Sequence, residues 1–134
     1  MLRFFALALL FTVTPVFAGE SIQLMKSGSF RSVTHDPQNI WQDGELKPFA
    51  PEKGQVGADI TEYRAKGTNG SMWLVSQILS EDCSLQLCPA RLVKISADGS
   101  KKLLVDDMMH IGGPFVLSGK TLINGDYRFK MSQP

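Results

Sequence analysis

Along the second half of the chain, short runs rich in β-branched, aromatic and leucine residues alternate with turn residues at a nearly regular spacing. DITEYRA, residues 59 to 65, leads into a turn at Gly67 to Gly70, and SMWLVSQIL follows from Ser71 to Leu79. After an interruption that holds both cysteines come ARLVKIS, the turn ADGS and KKLLV. Asp98-Gly99 supplies the positive φ angles that tight hairpin turns require, so the two runs around it are expected to pair. FVL, the turn SGK, TLI, the turn Asn124-Gly125 and YRFKM complete the series. This spacing predicts an antiparallel meander rather than parallel strands joined by helices. Within the first hairpin, Val93 and Ile95 point one way while Leu92, Lys94 and Ser96 point the other, which predicts one core face and one partly wet face.

The pattern before Ala58 is different. Pro37, Pro48 and Pro51, with Gly28, Gly44, Gly54 and Gly57, break up the segment from Gly19 onward and predict loops with little regular structure. One exception is HDPQNIWQDG, where Asp36 suits an N-cap, Pro37 the first helical position and Gly44 the C-terminal stop. Ile40 and Trp41 would dock that helix on the core. The expected fold class is mainly β or α+β: an antiparallel meander sheet with one short helix and a disulfide-closed loop.

The start of the chain narrows where such a domain works. Arg3 precedes an apolar run from Phe4 to Val13, then Pro15 and Val16-Phe17-Ala18. This is the pattern of a secretory signal peptide over residues 1–18. The run is shorter than the roughly 20 residues of a membrane-spanning helix, so no stable membrane insertion is expected. Cleavage after Ala18 would take 18 of 134 residues and leave 116, one globular β-rich domain over 19–134 that can bury a core of its own. It would also remove Arg3, leaving 13 basic against 13 acidic residues. A nucleic-acid partner needs a basic footprint, and none is predicted. The expected location is periplasmic or secreted.

Candidate chemistry is sparse. SGKT at 118–121 has the ending of a phosphate-binding loop, but the glycine needed five residues before Gly119 is Pro114, so a hairpin turn is expected there. Asp106, Asp107 and His110 would converge if VDDMMH were helical, and a hydrolase built on them is one alternative reading. The other reading of that segment is a solvated turn in which Asp106 caps a short helix carrying Met108 and Met109 inward. Glu81 and Asp82 are adjacent, a spacing that points two carboxylates apart in a strand or turn. No nucleophile elbow is present, and no catalytic residue, metal site or cofactor is predicted.

What remains is EDCSLQLCPAR, residues 81–91, with the only two cysteines. In an oxidising compartment an even count of cysteines normally means a disulfide, so Cys83 and Cys88 are expected to be joined. A loop this short gives about 2 kcal/mol on the chain-entropy model, so the bridge is expected to shape a loop rather than hold the domain together. Its interior, Ser84, Leu85, Gln86 and Leu87, is the predicted binding site. The bridge would send at least one of the two leucines to solvent or fold it over the sheet; if a leucine is exposed, a constrained loop with an apolar tip has lost its ordering entropy before any partner arrives.

The order SMWLVSQIL, Cys-x4-Cys loop, strand, polar turn, strand and LSGKTL resembles the Ivy-type periplasmic lysozyme inhibitors over roughly the C-terminal half. The resemblance implies an exported sheet that presents a rigid loop to an enzyme. In that family the loop carries a histidine into the lysozyme cleft, whereas the loop here holds Ser84, Leu85, Gln86 and Leu87. The expected function is an exported protein-binding domain, an inhibitor or immunity factor acting on a cell-wall hydrolase or a delivered toxin. The expected partner is a periplasmic or secreted enzyme. An envelope structural or assembly factor is the further alternative.

Overall fold

The computed structural model describes residues 21–49, 56–80 and 83–132; the expected signal peptide and the Glu81-Asp82 pair lie outside them. The described chain is mostly antiparallel β-sheet. In chain order it runs β1 (Ser21–Val33), α1 (Asp43–Leu46) with a 3-10 turn (Lys47–Phe49), β2 (Ala58–Lys66) and β3 (Met72–Leu79). A 3-10 turn (Ser84–Gln86) then precedes β4 (Leu87–Ile95), β5 (Lys101–His110), β6 (Phe115–Ser118), β7 (Thr121–Asn124) and β8 (Tyr127–Lys130). The strands form one sheet in the order β5-β4-β3-β2-β1-β6-β7-β8. Every predicted hairpin is present, including Lys94 opposite Lys102 across the Asp98-Gly99 turn and Ser118 opposite Thr121 across Gly119-Lys120. SGKT is thus a hairpin turn.

The sheet curls until its two edges approach each other. Beyond β8, the Ser132 N–H donates to the Leu104 carbonyl of β5 at 2.9 Å. All eight strands therefore turn one face onto a shared core. Leu24, Tyr63, Val75, Leu92, Met109, Phe115 and Leu122 meet there, with Phe129 of β8 packed against them. Tyr63 and Phe115 are tilted rings with centroids 4.7 Å apart. Each such side chain contributes about 1.5–3 kcal/mol by leaving water. Among the described residues no helix is long and apolar enough to cross a membrane.

The long strand β1 corrects the expectation of loops before Ala58. Its only buried side chain is Leu24, so no apolar alternation marks it. It is held by backbone pairing on both sides: residues 21–24 with β6, and residues 25–33 with β2. Gly57 is required where the chain enters β2, because a Cβ there would collide with the Val33 carbonyl oxygen.

The expected helix from Pro37 to Gly44 is also corrected. Asp36 is buried, and its carboxylate accepts the N–H groups of Gln38, Ile40 and Trp41 at 2.9, 2.8 and 3.0 Å. Asn39 takes a positive φ of 54°, which stops a helix there. The segment becomes a turn wound around one carboxylate, and the helical residues lie further on with Gly44 inside them. Trp41 and Ile40 do dock, but on the outer face of β2 and β3, with Leu46, Ile60 and Ile78. The Trp41 indole N–H donates to Ser76 Oγ at 2.9 Å. Arg91 of β4 lies 4.1 Å over the Trp41 ring, donates to Glu45 at 2.7 and 3.0 Å and to the Ile40 carbonyl at 2.8 Å, and pairs with Asp106 at 3.3 Å. This cover explains why Leu92 and Val93, on opposite faces of β4, are both buried.

Candidate functional site

The Cys83–Cys88 disulfide is formed, with Cα atoms 5.2 Å apart. The four residues between the cysteines do not share one environment. Ser84 opens the 3-10 turn, and Leu85 and Gln86 follow with φ of 53° and 60°. Leu85 is 88% exposed, the most exposed large apolar side chain among the described residues. Gln86 is exposed as well, while Leu87 is half-buried as the first residue of β4. The bridge is thus anchored at one end on Cys88, which is fully buried opposite Met109 of β5.

Three hydrogen-bonding groups fix the loop's base. The Cys83 N–H donates to the Ser80 carbonyl at 3.2 Å, and the Ile111 N–H donates to the Gln86 carbonyl at 3.0 Å. Beneath them lies Gln77 of β3, wholly buried. Its Nε2 donates to the carbonyls of Met109 and His110 at 2.9 and 3.1 Å, and its Oε1 accepts the Gly112 N–H at 3.3 Å. Asn124, also fully buried, accepts the His110 N–H at 2.7 Å and donates to the Pro114 carbonyl at 3.0 Å. Two buried amides therefore tie the end of β5 and the following turn to strands on either side.

Gln77 and Asn124 were not legible as site residues. Gln77 sits in an apolar strand where a wet position is the ordinary reading, and Asn124 reads as part of its hairpin turn. A polar residue at an inward position of an otherwise apolar strand was the available signal.

The surface beside the loop is also apolar and aromatic. Ile111 and Tyr127 are each 42% exposed. Leu87 is directly opposite His110 in the sheet, and the His110 ring packs 5.1 Å from that of Tyr127. Leu85, Leu87 and Ile111 thus belong to one end of the sheet.

The structure does not gather Asp106, Asp107 and His110. The segment 105–110 is strand, so Asp106 and Asp107 point to opposite faces, and Asp106 and His110 are about 13 Å apart along the strand. Asp106 pairs with Arg91, while the Asp107 carboxylate accepts the Met108 N–H at 2.8 Å. The expected short helix carrying both methionines inward is corrected for the same reason: Met109 is buried, and Met108 faces solvent. Comparison with protein-family models, curated proteins and solved structures finds no match to this chain.

Proposed function

We propose that this is an exported protein-binding domain, an inhibitor or immunity factor whose disulfide-closed loop enters a cell-wall hydrolase or an envelope-delivered toxin. The observation that carries the reading is Leu85, 88% exposed at the tip of a loop whose backbone is held by the bridge and the Ile111–Gln86 hydrogen bond. An apolar anchor on a pre-ordered loop is suited to a concave partner, because little freedom is left to lose on docking. The Ser84–Leu87 stretch carries no charge, so contact would come from shape and apolar burial. The order of strand, Cys-x4-Cys loop and hairpin, resembling the Ivy-type inhibitors, supports an enzyme as that partner.

The test is titration of the purified domain into cell-wall hydrolases acting on a peptidoglycan suspension. Stoichiometric loss of one enzyme's activity is expected, and Leu85→Asp should abolish it without changing the domain's thermal melt. Inhibition that survives Leu85→Asp, or absence of inhibition across muramidases, amidases and endopeptidases, would reject the hydrolase-inhibitor reading.

A further inference from the structure

The end of the curled sheet opposite the disulfide loop has a different chemistry. β3 starts there with Met72 and Trp73, and β4 ends there with Lys94 and Ile95. Between them and the β6–β7 turn the interior opens in a cavity of about 290 Å³. Its apolar wall is Trp73, Leu104 and Met131, the first and last of which pack directly on the main core. Its polar lining is three lysines, Lys94, Lys120 and Lys130, with no carboxylate.

Lys94, Lys120 and Lys130 line one opening, and Lys130 also borders the adjoining hollow that carries Asp106 and Asp107. Among the described residues, the ion pairs involve His35, Arg64 and Arg91, and none involves these three. Lys94 also stands directly opposite Lys102 of β5, and like charges in that relation destabilise a sheet. The Lys94 ammonium lies 4.9 Å over the Trp73 ring, which holds it at the opening. A chain with 14 basic and 13 acidic residues has no general excess of cations to distribute. Their collection around one apolar opening is local.

We propose that this opening binds a small amphiphilic anion. A single carboxylate or phosphate head would sit among Lys94, Lys120 and Lys130, and a short acyl or aryl body would lie against Trp73, Leu104 and Met131. The volume is at the lower end for small-molecule sites, so one short chain or ring system fits and a two-chain lipid does not. The site is independent of the disulfide loop and of the partner read from it.

Calorimetric titration of the full domain with decanoate, decyl phosphate and decanol tests this. At least one anion should saturate a single site with a dissociation constant below about 1 mM, and its preference for the carboxylate or the phosphate identifies the head. Decanol should bind at least about tenfold more weakly. The double variant Lys120→Gln with Lys130→Gln changes two exposed side chains, so its melt should be unchanged. Losing two exposed charge contacts should weaken the anion by about tenfold. Failure of both anions to saturate, equal binding of decanol, or undiminished binding by the double variant would each overturn the proposal. Should the double variant melt early, Lys120→Gln alone, on the β6–β7 turn, supplies the same comparison.

Discussion

Replacing Gln77 with methionine should destabilise the domain about as much as removing its disulfide. Methionine matches glutamine closely in length and volume, so the change leaves little cavity and isolates the polar effect. What is lost are the bonds from Nε2 to the Met109 and His110 carbonyls, its longer bond to the Cys88 carbonyl at 3.4 Å, and the bond from the Gly112 N–H to Oε1. A buried backbone group left without a partner costs about 1–3 kcal/mol. Gly112 is exposed and can turn to water, and the His110 carbonyl keeps the Gly113 N–H at 3.5 Å, so the estimate rests on the Met109 carbonyl and comes to about 1–3 kcal/mol.

For a chain of this size that corresponds to a fall in Tm of roughly 4–12 °C. Urea denaturation should show a lower midpoint with an unchanged slope, since the surface exposed on unfolding stays the same. Hydrogen exchange at the Ile111 amide should accelerate more than exchange in β2, because Ile111 joins the disulfide loop to the turn that Gln77 supports. A loss below about 1 kcal/mol, with Ile111 exchange unchanged, would show that solvent or a rearranged turn satisfies these carbonyls. The inference that Gln77 holds the loop's base would then be refuted.

The other expectations concern the bridge, the Arg91 cluster and the loop. Cys83→Ser with Cys88→Ser should lower stability by about 2 kcal/mol and leave a cooperative urea transition. Arg91, by hydrogen-bonding Glu45, holds that carboxylate below its ordinary value of 4.5. A depressed folded value means its stabilisation is fully present above about pH 4.5 and is lost as pH falls through the folded value. The stability difference between wild type and Glu45→Gln should therefore be larger at about pH 6 than at about pH 3, read from urea midpoints; an equal difference would contradict it. Leu85→Asp should change stability by no more than about 0.5 kcal/mol, whereas Leu87→Asp, half-buried at the start of β4, should cost about 1–3 kcal/mol. Thermal melts of the two variants side by side decide this, and equal losses would place the Leu85 tip against the protein.

The hairpins β2–β3, β4–β5, β6–β7 and β7–β8 were legible because each joins two apolar runs across a turn that contains glycine. Two kinds of feature escaped that reading. β1 has one buried side chain and is defined by partners distant in sequence, Phe115–Ser118 on one side and Ala58–Arg64 on the other. Local pattern carries no trace of such pairing. The end of β5 has two aspartates, which read as turn residues; at a sheet edge the same charges are compatible with strand and discourage pairing with another chain. The disulfide and its loop followed from cysteine spacing, while the lysine-lined opening did not. Lys94, Lys120 and Lys130 are separated in sequence and meet only because β4, the β6–β7 turn and β8 converge when the sheet curls.

The backbone at the tip adds an argument about why a leucine stands there. Leu85 and Gln86 both adopt left-handed conformations, with φ of 53° and 60°. For a residue with a Cβ this costs on the order of 1 kcal/mol, and glycine takes it freely. A leucine normally recovers such a cost by burying its side chain, worth about 1.5–3 kcal/mol. At 88% exposure Leu85 recovers almost none of it in the free protein. Leu87, two residues on, shows the contrast: it is half-buried and begins a strand. The free fold therefore gives no physical reason to prefer leucine over glycine at position 85. Burial against a partner does supply one, and it does so with the backbone already set by the disulfide, the Ile111 amide and Gln77. The strain and the exposure are separate observations, and both favour a side chain whose packing is completed outside this chain.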